Sequence, residues 1–185
     1  MMASSSLSVR DDQALVHWLE VDAEPAWYAV YTCANHEKRV ADQFVQRSVE
    51  HFLPTFETIR RWKDRKMRIQ QPLFPGYIFV RLLLRDRLRV LQAPSVVRLV
   101  GFGGHPVALS NQEIETLRNS LIPELGALPH PYLKEGRKVR IVNGPLEGTE
   151  GILIRRKNAF RVVLSIDLIM KAASVEVDIG DVERI

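Results

Sequence analysis

One cysteine, Cys33, stands among 185 residues, so no intramolecular disulfide can form and no multi-cysteine zinc site can be built. A lone thiol agrees with a reducing compartment. No apolar run approaches the roughly 20 residues of a membrane span, and the opening MMASSSLSVRDD carries no apolar stretch of the kind a secretory signal needs. A cytoplasmic protein without a membrane partner is therefore expected. No P-loop, dinucleotide fingerprint or metal-ligand cluster is present. The nearest approach to catalytic chemistry is Cys33 with His36 three positions later. A thiolate nucleophile needs an adjacent base held by a third group, and nothing near this pair supplies one. No catalytic residue, cofactor or metal is expected, and the chain is read as a non-enzyme.

What the chain does hold is enough apolar sequence, 46% of its residues, for one ordinary domain or two small ones. Lysine and arginine total 26 against 22 aspartate and glutamate, a net charge of +4 that points only weakly to a polyanionic partner. Its distribution says more. RRWKDRKMR, residues 60–68, packs six basic residues against one acid, whereas residues 11–24 hold five acids and no lysine or arginine.

Residues 1–24, rich in serine and acid, read as a tail. WYAVYT, residues 27–32, is aromatic and β-branched and predicts a strand. Asn35 then fits an N-cap, because Val40, Ala41, Phe44 and Val45 follow at helical spacing. HFLPTFETI alternates apolar and polar residues and is broken by Pro54, as an edge strand or bulge would be. The basic segment follows as a hairpin loop, and GYIFVRLLL returns as a strand. Leu88 and Leu91 lie on one side of a short helix that Pro94 ends. VVRLVGFGG supplies another strand, and SNQE, residues 110–113, is a capping box ahead of Ile114, Leu117 and Leu121. The order predicts an α+β sandwich with a mostly antiparallel sheet. IPELGALPHPYLKE, residues 122–135, has three prolines, one glycine and no periodicity, as a linker does. Beyond it, about five short alternating strands predict a small β-barrel.

PLFPGYIFV, residues 72–80, raises a question of its own. By strand alternation Tyr77 and Phe79 share one face, and Ile78 and Val80 the other. One set fills a core, while the other is as compatible with burial as with contact to a second molecule.

Two patterns carry a family resemblance. Val139 to Val142 run into Gly144, Pro145, Gly148 and Gly151, which resembles the KOW motif of ribosomal proteins and transcription elongation factors. Upstream, WYAVYT, a helix with Glu37, Lys38 and Arg39, then FLPTFE, the basic hairpin, PLFPGYIFV and VVRLVGF follow the order of NusG-like transcription factors. The resemblance spans about residues 26–185.

It implies a monomer with an amino-terminal polymerase-binding domain over 25–122, a linker over 123–135 and an SH3-like KOW domain over 136–185. In the family an apolar patch docks on the clamp helices of RNA polymerase, and the matching residues are Tyr31, Phe74, Pro75, Tyr77 and Phe79. The non-template DNA strand of the transcription bubble would face Asn35, His36, Lys38 and Arg39, with Arg61, Lys63 and Arg65 and their neighbours Arg60, Lys66 and Arg68 on the hairpin. Trp62 is placed to stack on a base. Members that read a DNA element carry particular polar and basic residues just after the first strand, where this chain has Cys33 and Ala34. In the barrel, general members use a short apolar tip to meet Rho or a small-subunit ribosomal protein. Here SIDLIMKAAS, residues 165–174, is longer and presents Leu168, Ile169 and Met170. That tip resembles antiterminators of long polysaccharide operons, so an operon-dedicated paralogue is favoured over the housekeeping factor or a ribosome-associated KOW protein. One specialised branch folds the barrel segment as helices over the polymerase patch. The Val, Ile and Gly content after Val139 favours strands instead, so a constitutive barrel and an open patch are expected.

Overall fold

The computed structural model describes residues 24–62, 65–133, 135–156 and 159–185. The expected tail lies outside the described residues except for Glu24. The amino-terminal part is built on β1 (Ala26–Thr32), helix α1 (Glu37–Gln46), β2 (Glu50–Phe52), β3 (Thr55–Trp62), β4 (Arg65–Pro72) and β5 (Tyr77–Leu82). Helix α2 (Leu88–Leu91), β6 (Val96–Leu99), the small hairpin β7 (Gly101–Phe102) and β8 (His105–Pro106), β9 (Ala108–Leu109) and helix α3 (Asn111–Ser120) complete it. Strands run in the order β2-β5-β1-β6, with β9 also on β1, and every pairing is antiparallel.

Period-two alternation gives this sheet two apolar faces. Tyr28, Val30, Ile78 and Val80 point to one, where Val40 and Phe44 of α1 cover them. Trp27, Ala29 and Phe79 point to the other, where Ile114 and Leu117 of α3 pack. Val45, counted with the apolar stripe of α1, is instead 67% exposed. In α2 it is Val90 that is buried, and Leu88 and Leu91 face outward. The capping box of α3 forms as expected: Ser110 Oγ accepts the Glu113 amide at 3.1 Å and the Glu113 carboxylate accepts the Ser110 amide at 2.9 Å. The N-cap of α1 is His36, not Asn35. Asn35 sits one residue earlier at φ 62°, a left-handed turn that asparagine tolerates and that swings the chain from β1 into the helix. Pro54 separates β2 from β3, and the β3–β4 hairpin leaves the sheet as a free two-stranded arm.

The carboxy-terminal part comprises β10 (Leu128–His130), β11 (Arg137–Ile141), β12 (Glu150–Arg156), β13 (Ala159–Ile166), β14 (Lys171–Val177) and β15 (Val182–Arg184). They form one antiparallel sheet ordered β10-β14-β13-β12-β11-β15. It wraps round Val139, Ile141, Val162, Leu164 and Val175, with Leu146 brought in from the KOW turn. Gly144 and Gly148 hold φ of 89° and 80° in that turn. Gly151 is needed for another reason: a Cβ there would lie 2.5 Å from the Val163 carbonyl oxygen of the next strand.

The stretch expected to be a linker is not free chain. Leu125 and Ala127 pack against the barrel core, β10 pairs with β14, and Leu133 covers Ile152 and Val163 on the outer surface. Arg161, 5% exposed on β13, donates to Gly126 O at 2.5 Å, to Ser174 O at 2.7 Å and to Glu176 at 3.1 Å. Burial pushes its pKa down, and Glu176 acts in the opposite sense.

Candidate functional site

The segment PLFPGY closes a tight turn between β4 and β5. Gly76 stands at φ 85°, and a Cβ on it would crowd the Tyr31 ring at 3.2 Å. Its carbonyl accepts the Thr32 amide at 2.9 Å, and its own amide donates to the Glu37 carboxylate at 2.6 Å. Glu37 is 3% exposed in the first turn of α1. The turn is thereby bolted to the end of β1 and to the start of the helix, and the aromatic rings around it are held in place. Tyr31 and Tyr77 lie opposite each other across the β1–β5 ladder with ring centroids 5.4 Å apart. Phe74 meets Phe79 edge-on at 6.3 Å, and Phe79 stacks on Phe52 at 6.2 Å. Arg98 sits over Tyr31, and Arg118 lies between Trp27 and Phe52.

The structure thus brings Tyr31, Phe74, Tyr77 and Phe79 into one face, with Pro75 exposed beside it. It contradicts the expectation that this face is open. Ile166, Ile169 and Ala173 of the barrel join Trp27, Phe74 and Phe79 in a single buried cluster, with Leu168 and Tyr77 packed against it. The ammonium of Lys171 lies 5.9 Å from the Tyr77 ring centre. Phe74 and Phe79 are consequently 1% and 0% exposed. The physical reason is mutual: both surfaces are apolar, and burying them together removes from water what each would otherwise expose. The expected barrel, by contrast, is the observed form.

Of the tip residues, Ile169 is buried in this contact and Leu168 is partly buried, whereas Met170, at φ 49°, stays 61% exposed. The KOW-turn residues Gly144, Gly148 and Gly151 shape the barrel through the backbone geometry given above, and Pro145 stands exposed in the same turn.

One contact joins the two groups of basic candidates. Lys38 Nζ donates to Gln70 O of β4 at 2.6 Å, which ties the hairpin to the first turn of α1, next to Arg39 and just after Asn35 and His36. His36 Nδ1 is 2.8 Å from Ser95 Oγ, an anchor for the start of that helix. The hairpin register sorts the arginines onto two faces: Arg61 pairs with Lys66 beside Ile59 and Arg68, while Arg60 pairs with Met67 and Trp62 with Arg65. Arg60, Arg61, Arg65, Lys66 and Arg68 are all exposed. Lys63 lies outside the described residues. Glu57 lies 3.5 Å from the Arg68 guanidinium. Cys33 is exposed, and no group of three or more His, Cys, Asp or Glu among the described residues is placed to hold a metal.

Sequence reasoning quoted Glu37 but gave it no role, and it overlooked Lys171 and Arg161. A carboxylate at the first turn of a helix ordinarily needs no partner beyond the helix end, so only the fold reveals that Glu37 reaches Gly76.

This fold has counterparts. A NusG structure from Thermotoga maritima, described for its domain interaction, superposes with a TM-score of 0.59 at 24% identity, over 88% of this chain and 98% of its own. The architecture, a mixed α/β amino-terminal part followed by a β-rich carboxy-terminal part, is shared with it. The transcription termination/antitermination protein NusG of Lactococcus lactis is 28% identical over 180 residues, 89% of this chain and 96% of its own length. That of Escherichia coli K12 is 26% identical over 174 residues, 85% and 95% of the two chains. The profile of the transcription termination factor NusG matches residues 25–118. The chain belongs to the NusG family, whose curated relatives are transcription termination/antitermination factors. No helix among the described residues is long and apolar enough to cross a membrane.

Proposed function

We propose that this protein is a transcription elongation regulator that docks on the clamp helices of RNA polymerase through Tyr31, Phe74, Pro75, Tyr77 and Phe79 and raises processivity by binding alone. In this reading residues 25–122 form the polymerase-binding unit and residues 136–185 the KOW unit. The observation that carries it is the aromatic face itself. Four aromatic side chains are locked round a turn by a buried carboxylate, on a surface whose present cover is another part of the same chain. A face built only as core would need no such arrangement at a turn, and aromatic anchors of this kind dominate binding energies. The polymerase clamp and the barrel compete for it, so the protein docks only when the barrel has moved away.

The loop at 35–39 and the hairpin cations run beside the non-template strand, neutralising phosphate. The longer tip with Leu168, Ile169 and Met170 supports an antiterminator dedicated to particular operons. Near full-length similarity to general NusG proteins supports the second reading, a housekeeping factor whose barrel meets Rho or a small-subunit ribosomal protein. The deciding experiment measures binding to a reconstituted elongation complex, with run-off and pausing read in the same reactions. Tyr77→Ala should weaken binding by about 2 kcal/mol, roughly thirtyfold. Because Tyr77 also packs against the barrel, equal binding by both proteins would mean that it holds polymerase no better than it holds the cover, and no binding by either would move a ribosomal role or a cover that stays closed to the front.

A further inference from the structure

The segment between the two parts of the chain is docked on the barrel from Leu125 onward, and that has a mechanical consequence. Leu121 packs with the amino-terminal cluster and Leu125 with the barrel core, so only Ile122, Pro123 and Glu124 lie free between them. Stretched fully, the step from Leu121 to Leu125 spans at most roughly 14 Å. A single helix laid on the aromatic face is already about 10–12 Å across. Beside the apolar contact itself, Gln112, Thr116 and Leu117 of α3 face Thr149, Leu164 and Ile166 of the barrel across a cleft. Pivoting about so short a hinge leaves that side covered.

We propose that residues 125–133 act as a releasable strap, whose peeling from the barrel is coupled to the departure of the barrel from the aromatic face. This rests on the reading that the face is used in an uncovered state. Freed as far as Glu135, the chain from Ile122 onward reaches at most roughly 50 Å, enough to clear any helical partner. Release leaves the pairings among β11 to β15 in place, although it uncovers the core beneath Leu125 and Ala127 and the patch beneath Leu133. The strap contributes one short strand at the outer edge of β14, with Pro129 in the middle of it. Arg161 loses Gly126 O on release but keeps Ser174 and Glu176. Tyr132, which donates to Asp167 at 2.9 Å, links the strap to the turn that carries Leu168 and Ile169. Cover and strap are thus joined at both ends, and release bares the β14 edge at residues 172–174 to an added strand.

The test uses the full chain and no polymerase, so its outcome is independent of the docking partner. Leu168→Asp/Ile169→Asp places two carboxylates in the apolar contact and drives it apart. Separation is followed by a dye pair at the exposed positions Val45 and Glu183. Hydrogen exchange is read at the amides of residues 128, 130 and 172–174, with Val162 of β13 and Val139 of β11 as the control for barrel integrity. The expected result is separation of the dyes with strap amides exchanging at least about tenfold faster and the control amides unchanged. Inserting about twelve Gly-Ser residues between Ile122 and Pro123 should restore slow strap exchange while the dyes stay apart. Strap protection that survives separation, or that the insertion fails to restore, overturns the coupling. If the dyes remain together, Tyr77→Asp is added on the opposite side. Persistent closure in that variant shows that the apolar contact does not govern the cover, which likewise overturns the proposal.

Discussion

Replacing Glu37 tests whether the aromatic turn is held by its carboxylate. In Glu37→Ala the Gly76 amide, buried at the base of the turn, loses its acceptor at 2.6 Å. An orphaned buried donor costs about 1–3 kcal/mol. Loss of the negative charge from the first turn of α1 adds about 0.3–1 kcal/mol through the helix dipole. The sum is about 1.3–4 kcal/mol, which lowers the melting temperature of a chain of this size by about 3–16 °C. Glu37→Gln keeps an acceptor of the same reach without the charge, so it should lose about 1 kcal/mol. Urea denaturation followed by circular dichroism measures the order wild type, Gln, Ala. The proton shift of the Gly76 amide follows the same order, moving upfield as the bond weakens. If Glu37→Ala stays within about 0.5 kcal/mol of wild type, or if Gln is as damaging as Ala, the turn is held by its neighbours and not by this carboxylate.

Two further outcomes follow from the barrel and the hairpin. Gly151→Ala puts a Cβ 2.5 Å from backbone of β13 and should destabilise the barrel by about 2 kcal/mol or more, whereas Gly144→Ala meets no atom within 4 Å and should cost only its left-handed conformation, about 1–2 kcal/mol. Equal melting temperatures for the two would refute the steric account of Gly151. Arg61→Gln/Lys66→Gln removes a cross-strand pair of exposed cations. The slope of log affinity for single-stranded DNA against log salt should fall by about 1.4, and an unchanged slope would take this face of the hairpin off the phosphates.

Much of this fold is legible where a period is unbroken. The division of Tyr77 and Phe79 from Ile78 and Val80 follows from alternation along β5, and the capping box at Ser110 and Glu113 follows from spacing alone. Asn35 misleads because asparagine serves equally as an N-cap and as a left-handed turn residue, and only the path from β1 decides between them. The strap is hidden by its prolines, which erase periodicity without preventing Pro129 from joining a sheet edge. Arg161 reads as an exposed cation on an alternating strand, because its acceptors are main-chain oxygens contributed by other segments. The covered face is illegible for a related reason. An apolar tip such as Leu168–Ile169 announces that something packs on it, and its residues do not name whether that is a foreign surface or the chain's own sheet.

The contact between tip and aromatic face also separates two quantities that a single binding surface would join. Under the proposed docking, side chains on the sheet set how strongly either occupant is held, while Ile166, Leu168, Ile169 and Ala173 set only how well the internal one competes. Each methylene trimmed from the barrel side weakens closure by about 0.8 kcal/mol, close to fourfold in the equilibrium, and leaves the aromatic rings untouched. Readiness can therefore be graded in small steps, independently of grip, by substitutions confined to one short turn.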